Sequence, residues 1–221
     1  MSFLEEMTCL KETDFSAQLN TSILNMAYSK FSLMNLKETF GLTSHIQPLF
    51  DKIVAKMPSD WLQETLKRSI AVAYTSEKAR SEAIVMPILL EIRTQNENKI
   101  AIYSGANLEG DKENELNGEC DFILSKGEQG IEVEAPIFCM IEAKDGNIVK
   151  AFGQCAAQML GAQYFNQKKG IDSPTIYGCI NNGNEWKFLK LTDKIILIDS
   201  NSYFINDLPH IIGILQNIVE A

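Results

Sequence analysis

The sequence predicts an α/β fold, a mixed sheet flanked by helices with a helical N-terminal part, and three observations carry that prediction. Residues 14–93 repeat apolar side chains at three- and four-residue spacing; after Arg93 the texture changes to short apolar or alternating runs between turn residues; and one further helical pattern, 147–167, separates the strands. The chain has 221 residues, and at about 150 residues per domain this allows one large domain or two small ones. The expected division is a helical part over 1–75 packed on an α/β core over 76–221, in one compact body. Hydrophobic residues make up 45% and charged residues 22%, which excludes disordered and fibrous classes.

Within the first stretch, Leu33, Leu36 and Phe40, then Leu49, Phe50, Ile53 and Val54, mark helical faces punctuated by Pro48 and Pro58. Pro58-Ser59-Asp60 opens a segment whose Trp61, Leu62, Thr65, Leu66 and Ser69 share a face. Ser76 is the expected N-cap of a helix from Glu77 to about Arg93, on which Glu82 shares a stripe with Val85, Met86 and Leu89. Lys99–Tyr103 reads as a short strand, 104–118 as an acidic Gly/Asn-rich loop, and Glu119–Leu124 and Ile137–Lys144 as strands. The next helix carries Ile148, Phe152, Cys155, Ala156, Met159 and Leu160 on one side and Lys150, Gln154 and Gln158 on the other. Strands follow at Thr175–Ile180, Trp186–Leu191 and Lys194–Ile198, with a hairpin turn at 181–184, and Leu208–Val219 reads as a closing helix.

Lys and Arg number 20 against 29 Asp and Glu, a formal charge of -9, which excludes a simple basic nucleic-acid coat. The first residues show no basic-then-apolar leader and the longest apolar run, Ile84–Leu90, is too short to span a bilayer, so a cytoplasmic protein is expected. Five cysteines, Cys9, Cys120, Cys139, Cys155 and Cys179, form no CxxC pair, which argues for free thiols over a zinc site or disulfides. The Asn20-Thr21-Ser22 sequon has no role in that compartment.

The chemistry-bearing residues meet at two strand ends. Along Ile137–Lys144 the pleat puts Glu142 and Lys144 on one side, at the end of an otherwise apolar strand. If the preceding strand pairs with it as a hairpin, Asp121 lies beside Glu142. Two adjacent carboxylates repel unless a cation sits between them, and a hard divalent ion such as Mg2+ is anchored by one or two carboxylates while keeping several waters. A neighbouring ammonium then stabilises charge at a phosphorus. The plainer alternative is an edge position with a Lys144–Asp121 ion pair.

The order of helix-borne Glu, strand, strand-borne Asp, strand-borne ExK and Gln-bearing helix resembles the PD-(D/E)xK, or restriction-endonuclease-like, superfamily. The matching pieces are ARSEAIVMPILLEI (79–92), LNGECDFIL (116–124) and FCMIEAKDGNIVKAFGQCAAQMLGA (138–162), followed by a strand. The first piece, with its Glu and following Pro, is similar to the N-terminal nuclease region of type I restriction-enzyme motor subunits. Cys120 stands where the family's proline would precede Asp121, and Ala162 stands where a QxxxY pattern from Gln158 would put Tyr.

The resemblance implies a restriction-endonuclease-like core, αβββαβ, and a Mg2+-dependent DNA endonuclease, with Mn2+ as the other candidate ion. It implies Asp121, Glu142 and the Ala143 carbonyl as metal ligands, Glu82 reaching the metal directly or through water, Lys144 as the catalytic lysine, and Gln154 or Gln158 orienting ligands or contacting substrate. The structural alternatives are a first-turn charge for Glu82 and a solvated helix face for the glutamines. Lys78, Arg80 and Lys150 are the expected phosphate contacts, with Lys144, the Lys168-Lys169 pair and, on the hairpin beyond, Lys187, Lys190 and Lys194 as further basic candidates. Opposing them, residues 109–134 hold nine acidic residues and two lysines. With three arginines in the chain, base reading by this chain alone is not expected, which points to a partner protein for target recognition. Cutting both strands needs two sites, which a homodimer would supply. The competing function is a catalytically silent module of the same fold, used for DNA or protein binding. An enzyme acting on a small phosphorylated metabolite has only the fold class behind it, since no GxGxxG, GxxxxGK[ST] or GxSxG occurs.

Overall fold

The computed structural model describes residues 28–144 and 148–221. The helical reading before residue 28, Cys9, the Asn20 sequon, Asn147 and the Lys150 side chain lie outside the described residues.

The first described elements are a 3-10 turn, Tyr28–Lys30, and helix α1, Leu33–Phe40. Ser32 and Asn35 form a capping box at its start, and Gly41 ends it in the left-handed conformation (φ 70°) that favours glycine. Helical spacing then fails as a guide. Thr43–Gln47 is a strand, β1, that lies parallel to a late strand, and 48–59 has no long helix. The expected all-helical N-terminal part thus lends a strand to the sheet.

Helix α2 spans Asp60–Ala73 with Ser59 as its N-cap; Leu62 is fully buried, whereas Trp61 is half exposed. Helix α3 is continuous in three parts: Glu77–Arg80, a π segment Ser81–Val85, and Met86–Gln95. Ser76 caps it as expected, its Oγ accepting from Ala79 N. Proline explains the π segment. Pro87 has no N–H to give the Ala83 carbonyl, and Ser69 Oγ from α2 donates to that oxygen instead at 2.7 Å. The extra residue in the turn shifts the helical phase, so Glu82 leaves the apolar stripe and faces outward, while Ala83, Ile84 and Val85 are buried.

The acidic stretch 104–118 is not a loop. Strand β2 runs over Ile100–Asp111 and β3 over Leu116–Lys126, paired antiparallel from Ile100↔Lys126 to Asp111↔Leu116. The charged residues occupy the outer end of a long hairpin, where both strands carry polar side chains. Strand β4, Ile137–Ala143, pairs antiparallel with β3, as expected, with Phe122 opposite Ile141. A 3-10 turn, Ile148–Ala151, leads into α4, Phe152–Lys168, which crosses to β5, Thr175–Asn181, parallel to β4. Strands β6 (Glu185–Thr192), β7 (Ile195–Asp199) and the short β8 (Tyr203–Phe204) follow, and helix α5, Leu208–Glu220, closes the described chain.

The result is an open, mixed eight-stranded sheet of order β1-β7-β6-β5-β4-β3-β2, with β8 on β6. One apolar layer packs α4, Tyr28 and Leu36 against one face, and the other packs α3 and α5 against the opposite face. Helix α4 is covered nearly all round and approaches closely through its glycines. A Cβ at Gly161 would stand 2.2 Å from Tyr28 Oη, and one at Gly110 would stand 2.5 Å from Gly161. Tyr28 in turn donates to the carbonyls of Leu108 and Leu116.

Candidate functional site

Strand β4 carries Glu142 to the end of the apolar layer beneath α4, where it is 1% exposed. Three donors surround its carboxylate. Lys144 Nζ lies 2.6 Å from Oε1, Gln154 Nε2 donates to the same oxygen at 2.5 Å, and Gln158 Nε2 donates to Oε2 at 2.7 Å. The four-residue step between the glutamines puts both on the face of α4 that looks at β4. Neither makes a solvated helix face: Gln158 is fully buried.

Asp121, half-buried, sits on the neighbouring strand and accepts from the backbone N–H of Ala143 at 2.7 Å. The hairpin therefore does bring the Asp121 side chain next to the Glu142–Ala143 peptide. Lys144 is paired with Glu142 and lies 4.0 Å from Glu77 Oε1; no Lys144–Asp121 ion pair is formed.

Electrostatics follow the packing. Burial, followed by repulsion from Asp121, pushes the Glu142 carboxyl up to about 7 despite Lys144 and Gln158. Burial also raises Asp121, with Glu77 and Glu119 adding to it, while the Ala143 N–H and Lys144 pull the other way. For Lys144 burial disfavours the charge, but Glu142, Glu77 and Asp121 outweigh it and hold the ammonium above its ordinary range.

Asp121 opens into a cleft of about 490 Å³ between the start of α3 and the β2–β3 hairpin. Glu77, Lys78, Glu82 and Glu119 also line it. The acidity anticipated for 109–134 is thus partly at the mouth of the site. Glu82 lies in this cleft, 3.8 Å from Lys78, with its side chain 67% exposed. The helix-borne carboxylate that the structure brings to Lys144 is Glu77, which sequence reasoning passed over; its only signal was its place directly after the Ser76 cap. Arg80, expected as a phosphate contact, is buried at 7% and packs under the turn between β5 and β6, where its Cδ would be 2.9 Å from a Cβ on Gly183. Lys78 remains exposed beside Glu82.

Among the described residues, no group of three or more His, Cys, Asp or Glu side chains is placed to hold a metal ion. The pair Asp121 and Glu142 nevertheless fits a hard divalent cation by donor chemistry. Both are oxygen ligands, and for both, burial raises the cost of the charged form, a cost that a cation would offset. Magnesium keeps several waters and does not need a third acid. Gln158 Oε1, buried and without a hydrogen-bond partner, adds an unsatisfied acceptor next to Glu142. The four described cysteines, Cys120, Cys139, Cys155 and Cys179, are free, and burial pushes their thiols up, so none is set up as a thiolate nucleophile.

Fold and site together define an α/β protein with an open mixed sheet, flanking helices, and a buried Glu paired with a partly exposed Lys at a strand end, beside a second carboxylate. No protein-family model matches the chain, and no curated protein matches it. Among the described residues no helix is long and apolar enough to cross a membrane.

Proposed function

We propose that this chain is a Mg2+-dependent DNA endonuclease with a restriction-endonuclease-like core, hydrolysing phosphodiester bonds at the Asp121, Glu142, Lys144 site. The observation that supports this most is the burial of Glu142 against Lys144, Gln154 and Gln158 beside a second carboxylate. Holding like charges together in an apolar strand end is costly, and a metal-ligand pair gives that cost a use.

In this reading Asp121, Glu142 and the Ala143 carbonyl would hold the ion, with Mn2+ able to replace Mg2+. When bound, the ion polarises a phosphoryl oxygen and acidifies a water for attack. Lys144 sets an ammonium beside the attacked phosphate and offsets charge on its nonbridging oxygens. Gln154 and Gln158 fix the Glu142 carboxylate in one orientation from α4. Glu77 steadies Lys144, and Glu82 stands farther out in the cleft. Lys78 is the basic side chain at the cleft, so a partner protein or a second copy of the chain supplies most of the DNA grip.

Wild-type protein should nick or cut DNA with Mg2+ or Mn2+, and Asp121→Ala, Glu142→Ala and Lys144→Met should each lower the rate by at least about 100-fold. A second reading has its own observation: the Glu142 oxygens are already occupied by protein donors and the cleft is acidic. In that reading the chain is a catalytically silent module used for DNA or protein binding. Absence of cleavage of any DNA or RNA form with either ion would select it.

A further inference from the structure

A second cleft lies at the other end of β4, four residues from Glu142 or roughly 13 Å along the strand, and encloses 440 Å³. Four adjacent strands contribute to it: Lys126 from β3, Phe138 from β4, Thr175 and Tyr177 from β5, and Lys190 from β6. The Lys126 ammonium is 5.9 Å from the centre of the Phe138 ring, and the Lys190 ammonium is 5.6 Å from that of Tyr177, its direct partner in the β5–β6 register. Both rings belong to the apolar layer against α3 and α5.

The charge pattern is what makes this cleft unusual. In a chain of net charge -9, two ammoniums face one pocket, and among the described residues neither is paired with a carboxylate; each rests on an aromatic ring instead. An exposed cation–π contact contributes about 0.5–1 kcal/mol, and an ammonium–phosphate hydrogen bond is stronger. An anion entering the cleft would compete with the rings for both ammoniums, and release of the lysines would uncover the ring faces they rest on. Asp172 also lines the cleft. The volume lies within the range of small-molecule sites.

We infer that this cleft binds a small phosphate ester with a planar body, of nucleoside monophosphate size. Lys126 and Lys190 take the phosphate, and Phe138 and Tyr177 take the base. The site is separate from the Glu142 centre and does not depend on its being a nuclease.

The test is equilibrium dialysis of the full chain against AMP, GMP, CMP and UMP, with inorganic phosphate and the free nucleosides as the other probes. Wild type should retain at least one nucleotide more tightly than either inorganic phosphate or its nucleoside. Lys126→Met and Lys190→Met should each weaken that binding by about tenfold, and the double variant should abolish it. Because both lysines are at least partly exposed, the variants lose no more than their ring contacts and should stay folded, with melting temperatures within a few degrees of wild type. Asp121→Ala should leave binding unchanged, which separates this cleft from phosphate held at the Glu142 centre. Failure of every nucleotide to bind, binding no tighter than inorganic phosphate, or binding that survives the double variant overturns the inference.

Discussion

Glu142 spends most of its surroundings on staying charged. Its three donors oppose burial and the Asp121 charge, yet the carboxyl still titrates near 7. An acid whose folded range lies above its unfolded one binds more protons in the native state across the interval between them, so stability falls as pH rises through that interval. Glu142 therefore contributes stability below about pH 4.5 that is lost as pH climbs through about 7. In metal-free protein, Glu142→Gln should melt higher than wild type at pH 8, by on the order of 5 °C, and the difference should shrink at pH 5. Mg2+ at pH 8 should raise the wild-type midpoint and leave that of Glu142→Gln unmoved. Calorimetry at the two pH values checks both, and equal midpoints at pH 8 would remove the charge strain assigned to this residue. At this scale the sequence was informative where chemistry depended on strand alternation. Asp121, Glu142 and Lys144 lie close together because β4 ends against the middle of β3, where Asp121 stands. Glu77 and Arg80 were not legible, since their positions depend on the phase of a distorted helix.

The elements differ in how far local pattern determines them. Helix α3 was readable from its Ser76 cap and apolar spacing, but not its π segment, which requires Ser69 of another helix to answer the carbonyl that Pro87 leaves. Ser69→Ala should orphan that carbonyl and cost about 1–3 kcal/mol, a loss that urea unfolding measures directly. Helix α4 was readable as a helix but not as a buried one, because its neighbours Tyr28 and Gly110 are remote in sequence. Gly161→Val should drive a side chain into Tyr28 and lower stability by about 1–3 kcal/mol or more; an unchanged unfolding midpoint would contradict the close approach. The β2–β3 hairpin was the largest misreading. Its pairing is local backbone hydrogen bonding, from Asp111↔Leu116 at the turn outward, which acidic, glycine-bearing segments can join without showing strand alternation.

For the molecule as a whole, the order of helices and strands was legible from Arg93 onward, while β1 was not, because a parallel strand at the sheet edge has its partner 152 residues away, Thr43 opposite Ile195. Four acidic side chains and one lysine line the cleft. Without divalent ions, DNA should bind more weakly than about 100 µM at physiological salt, and Mg2+ should tighten it; fluorescence anisotropy with a labelled duplex measures this. Tight metal-independent binding would mean that a basic surface elsewhere does the work.

The π segment of α3 also acts as a phase setting for the cleft. A residue of α-helix turns the chain by about 100° and advances it by about 1.5 Å. Deleting one residue within Ser81–Val85 would restore ordinary winding and swing the preceding turn, Glu77–Arg80, by about that angle relative to the sheet. Glu77 would turn away from Lys144, and Arg80 would leave its place under Gly183. One inserted residue thus decides whether Glu77 reaches Lys144.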